Sequence, residues 1–94
     1  MSDSTYRLTI GGESVEGAAG TYDIVNPATE ELAGRAPEAS VEQADAAVEA
    51  AAAAFPAWSR TAPAERAALL NRAADLIEEH RKEIVPVLQA ETGA

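Results

Sequence analysis

From Ser40 to Gly93 the chain is dominated by alanine, leucine and glutamate, which lose little side-chain entropy in a helix. Pro56 and Pro63 interrupt that tract, so it predicts a helical hairpin and a third helix rather than one rod. The expected spans are about 41–55, 63–80 and 82–92. Ser40 and Gln43 form an S-x-x-Q capping box at the first start. Val41, Val48 and Phe55 follow seven apart, with Ala44 and Ala51 between them, as one narrow apolar stripe. Pro56 is expected to end that helix by pushing Phe55 out of helical geometry, leaving Trp58 in a link to plug the corner between two helices.

Pro63 suits a helical first turn, where its missing N–H has no partner to lose. Leu69, Leu70, Ala73, Leu76 and Ile77 then make a broader stripe. Glu78 and Lys82 are spaced for an i,i+4 ion pair. Ile84, Val85, Val87 and Leu88 mark a third amphipathic segment, in which Pro86 predicts a kink or a start only a few residues upstream. Thr92-Gly93 reads as a C-cap with glycine in the left-handed position.

Ahead of the helices the pattern changes. Residues 1–5 are polar and read as a loose N-terminus. Tyr6, Leu8 and Ile10 alternate with Arg7 and Thr9, the period of a half-buried strand, and Gly11-Gly12 permits a tight hairpin before a return over Glu13 to Glu16. Gly17 to Gly20 reads as a flexible connection with nothing to pack. Thr21 to Val25 is a further strand, stopped by the turn-forming Asn26-Pro27, and Leu32 to Ala36 is its weak return. The fold class expected is therefore α/β, with β-hairpins over about 6–36 followed by three helices.

Helical stripes need something to pack on, and this chain offers little. Apolar residues make up 47% of it, yet most are alanine, with one Trp, one Phe and two Tyr. Sixteen acidic against seven basic residues give a net charge of −9, which argues against a nucleic-acid partner because nothing could neutralise a run of phosphates. The acidic, lysine-poor surface fits a salt-rich cytoplasm; a GC-rich genome explains the same bias. The absence of cysteine excludes a disulfide, a thiolate metal site or a cysteine nucleophile within these residues. With no leader-like start and no apolar run near the ~18–20 residues of a bilayer span, the expectation is a soluble cytoplasmic protein without a membrane partner.

The residues carry no recognisable catalytic apparatus. His80, the one histidine, lies between Glu79 and Arg81 and reads as a solvated residue. Glu30-Glu31 and Glu78-Glu79 are adjacent carboxylates that diverge, whereas a hydrolytic pair faces across a cleft. No G-x-S-x-G elbow, G-x-G-x-x-G turn or phosphate loop is present. No catalytic or cofactor-binding residue is assigned.

The order of the pieces carries more. Ile10-Gly11-Gly12-Glu13 precedes Tyr22-Asp23-Ile24-Val25-Asn26-Pro27-Ala28-Thr29-Glu30. Then come Pro37 to Ser40, Ala47 to Trp58, Ala64 to Leu70 and Glu91-Thr92-Gly93. From about residue 6 onward this resembles the N-terminal segment of the NAD(P)-dependent aldehyde dehydrogenase superfamily. Gly12 is not preceded by the usual asparagine, Glu30 stands where the turn usually has glycine, Ala94 replaces a common lysine, and Pro86 enters a helix often continuous.

The resemblance implies oxidation of an aldehyde to a carboxylate with NAD or NADP, in proteins about five times longer. In the family a cysteine thiolate attacks the aldehyde to give the thiohemiacetal from which hydride leaves, and a glutamate activates water; both lie beyond position 94, as does the dinucleotide fold. Residues 6–94 are therefore expected to be a partial domain, inactive alone, whose partner is the rest of such a polypeptide or a second copy through exposed helix faces. Some family members also hold a monovalent cation near this region, which would correspond to the Ile24 and Val25 carbonyls with Glu91; the plainer reading of Glu91 is a helix-end carboxylate. Against the family reading stand a small stand-alone binding or oligomerisation module without enzymatic activity, and an unrelated three-helix bundle. The family reading requires apolar stripes left exposed on the helices; a closed core would remove its physical support.

Overall fold

The computed structural model describes residues 6–94; the loose N-terminus expected over residues 1–5 lies outside the described residues. Two hairpins lead into three helices. In the first, β1 (Leu8–Ile10) pairs antiparallel with β2 (Glu13–Val15), and Gly11 and Gly12 turn the chain with φ of 59° and 81°. Two successive positive φ values define the type I′ geometry whose twist matches flanking strands. In the second, β3 (Thr21–Val25) pairs with β4 (Leu32–Pro37), with an irregularity at Ile24/Val25 where the partner advances from Gly34 to Leu32.

The connection between the hairpins is anchored rather than free. Ala19 N–H donates to the Glu38 carbonyl at 3.1 Å, Glu38 N–H to the Gly20 carbonyl at 2.8 Å, and Ala18 N–H to the Gln43 side chain at 2.8 Å. Gly17 to Gly20 offer no more than two methyl groups to pack, but their backbone groups do the joining.

The first helix, α1, runs Val41–Arg60, four residues past Pro56 on the far side. Proline there removes a single backbone bond, and it sits on an exposed face where water can satisfy the freed carbonyl. The stop comes instead at Thr61 and Ala62, both extended with ψ of 137° and 139°, ahead of Pro63. Trp58 thus belongs to the last turn of α1 and is 43% exposed, not a plug in a link.

Helix α2 spans Pro63–Glu79 and α3 spans Arg81–Thr92, with His80 closing one and opening the other. That break displaces Lys82 from the position opposite Glu78, which pairs with Arg81 at 2.9 Å instead. Helix α3 passes through Pro86 and starts five residues before it; Gly93 at φ 77° caps it as expected.

Packing is one-sided. Helix α1 lies on β1, where Ala47 and Ala50 line a shared groove with Thr9 and Ile10, and α3 lies on β4, where Val87 and Ala90 line one with Leu32 and Ala33. Helices α1 and α2 make at most marginal contact, so the expected helical hairpin is not formed as a packed unit. No residue of any helix is buried, and no hydrophobic side chain among the described residues is buried. The molecule is a slab of 47 × 33 × 18 Å with a radius of gyration of 16.5 Å, against about 12 Å for a closed domain of this length. Its surface of 7093 Å² compares with roughly 5,100 Å² for a folded monomer of this mass. The three-helix-bundle reading is overturned by the hairpins that lead in and by helices that share no core. Among the described residues no helix is long and apolar enough to cross a membrane.

Candidate functional site

Two motifs far apart in the chain meet in space. Asn26 builds the first: its N–H donates to the Glu31 carbonyl at 2.8 Å and its own carbonyl accepts from Glu30 N–H at 2.8 Å. Its side-chain oxygen also accepts from Ala28 N–H at 2.8 Å and Thr29 N–H at 3.3 Å. This is the backbone mimicry that makes asparagine a turn residue. Glu30 takes a φ of 63° within the turn, the left-handed conformation that glycine adopts without strain.

The second motif, Glu91-Thr92-Gly93, seats on that turn. A Cβ at Gly93 would fall 2.8 Å from Pro27 Cγ and 3.1 Å from Ala28 N, so only glycine allows this approach at this φ. Thr92 turns its hydroxyl back to the Leu88 carbonyl at 2.6 Å. An open groove of about 500 Å³ runs between the turn and α3, lined among others by Asn26, Thr29, Glu31, Glu83 and Val87.

The residues expected to contact a monovalent cation are brought to this end of the molecule. Ile24 is half-buried opposite Gly34, Val25 is exposed opposite Leu32, and Glu91 is exposed on the final turn of α3. Among the described residues no group of three or more His, Asp or Glu side chains could hold a metal ion. His80 stands exposed at the α2–α3 junction with Nδ1 3.3 Å from a Glu83 carboxylate oxygen. The Glu30-Glu31 and Glu78-Glu79 carboxylates are exposed, and Glu78 and Glu79 are held by Arg81 and Arg72.

A residue that the sequence marked only as half of a cap turns out to tie the molecule together. Gln43 accepts from Ser40 N–H at 3.0 Å and Ala18 N–H at 2.8 Å, and donates to the Glu16 carbonyl at 2.8 Å. Ser40 completes the box by accepting from Gln43 N–H at 3.1 Å.

The described residues do not fit a dinucleotide. The strands form antiparallel two-stranded hairpins, so no parallel strand leads through a glycine turn into a helix N-terminus, as a pyrophosphate site requires. Two ladder-like hairpins carrying three uncovered helices define an outer layer of an α/β protein.

Comparison with known proteins assigns that layer. The aldehyde dehydrogenase family profile matches residues 14–94, and the chain belongs to that family. It is 42% identical over 90 residues to human mitochondrial methylmalonate-semialdehyde/malonate-semialdehyde dehydrogenase [acylating], covering 95% of this chain and 17% of the human protein. It is 47% identical over 88 residues to a vanillin dehydrogenase of Pseudomonas sp., covering 93% of this chain and 18% of that one. Among solved structures, PnpE in complex with nicotinamide adenine dinucleotide superposes with a TM-score of 0.81 at 42% identity, over 94% of this chain and 18% of that chain. An NAD-dependent benzaldehyde dehydrogenase from Corynebacterium glutamicum gives 0.76 at 42% identity, over 85% of this chain and 18% of that chain. The chain thus spans less than a fifth of the length of these relatives.

Proposed function

We propose that these 94 residues serve as the opening layer of an NAD(P)-dependent aldehyde dehydrogenase, oxidising an aldehyde to a carboxylate once joined to the rest of such a protein. The observation that carries the reading is that none of the three helices buries a residue, although each bears an apolar stripe. Burying Leu69, Leu70 and Ile77 alone is worth roughly 1.5–3 kcal/mol each, and only a body outside these residues supplies that. The nicotinamide cofactor, the thiolate and the water-activating glutamate belong to that body.

The test is to read the coding sequence beyond Ala94 and to assay its product. An in-frame G-x-T-x-x-G, a glutamate and a cysteine, with NAD(P)-dependent oxidation of an aromatic aldehyde or a semialdehyde, are the expected result. Aldehyde oxidation by the 94-residue chain alone would overturn the reading, since no residue in it replaces the thiolate.

The monovalent-cation contact at Ile24, Val25 and Glu91 belongs to the same proposal, supported by the seat of Gly93 on the Pro27-Ala28 turn. In the joined enzyme, exchange of potassium for tetramethylammonium is expected to lower the melting midpoint, and Glu91→Gln to abolish that difference. The cytoplasmic placement is proposed on the cysteine-free composition.

A further inference from the structure

We draw no further inference here: the strongest candidate, the open groove between the Asn26–Glu31 turn and α3 with Thr29, Glu83 and Val87 in its walls, belongs to the site already described, and nothing in the structure shows what covers it.

Discussion

Gln43 shows how much one side chain carries when a molecule lacks a core. Its amide satisfies two N–H groups and one carbonyl, drawn from three places in the chain. Gln43→Ala is expected to cost about 1–2 kcal/mol, from the lost cap and the orphaned backbone groups. Amide exchange should accelerate at Ala18 and Ser40 and stay unchanged at Gly12. Glu30 offers the opposite sign: at φ 63° it strains a position that glycine occupies freely. Glu30→Gly is expected to stabilise the turn by about 0.5–1 kcal/mol, read as a rise in melting midpoint. The cap and both turns were legible in the sequence because they rest on neighbours three or four residues apart. The ties from Gln43 to Glu16 and Ala18 were not, since no local signal marks a partner 25 or 27 residues away.

At the scale of elements, the sequence was most legible where its physics is local. Hairpins, helix starts and the glycine cap of α3 fall where composition and spacing put them. One error lies at a proline. Pro56 was read as a stop, yet an exposed proline late in a strong helix gives up one bond and the helix continues through Arg60. Helix α2 makes the next point. Leu70 and Ile77 are 65% and 62% exposed, so changing both to glutamate is expected to shift the melting midpoint of this chain by no more than ~0.5 kcal/mol equivalent. The same double change in the joined enzyme is expected to destabilise by several kcal/mol, since burying an unpaired charge is costly. Similar losses in both settings would mean that α2 has no buried role in the parent fold. The proposed cation contact rests on the family resemblance; spacing alone gives no reason to join Ile24 and Val25 to Glu91.

For the whole molecule, the governing quantities are thickness and charge. A slab 18 Å deep orders its backbone while burying little, so the dilute chain is expected to melt broadly, with a midpoint below ~60 °C. The net charge of −9 repels itself, and salt screens that repulsion over about 10 Å at 0.1 M and 3 Å at 1 M. The midpoint should therefore climb as potassium chloride is raised toward molar concentration; a flat profile would discard the salt-rich cytoplasm as the origin of the composition.

The contact of Gly93 with Pro27 and Ala28 also has a meaning in time. In a protein of the relatives' length, these residues leave the ribosome first, and the remaining four-fifths take roughly 20–90 s to follow. Because the glycine cap and the turn find each other within the first 94 residues, the layer can set its outline early. In the proposed enzyme its apolar stripes would then wait, uncovered, for the rest of the polypeptide. If the chain continues into the proposed enzyme, a ribosome-associated chaperone should cross-link to nascent chains along Leu69, Leu70 and Ile77, and let go as the remainder emerges.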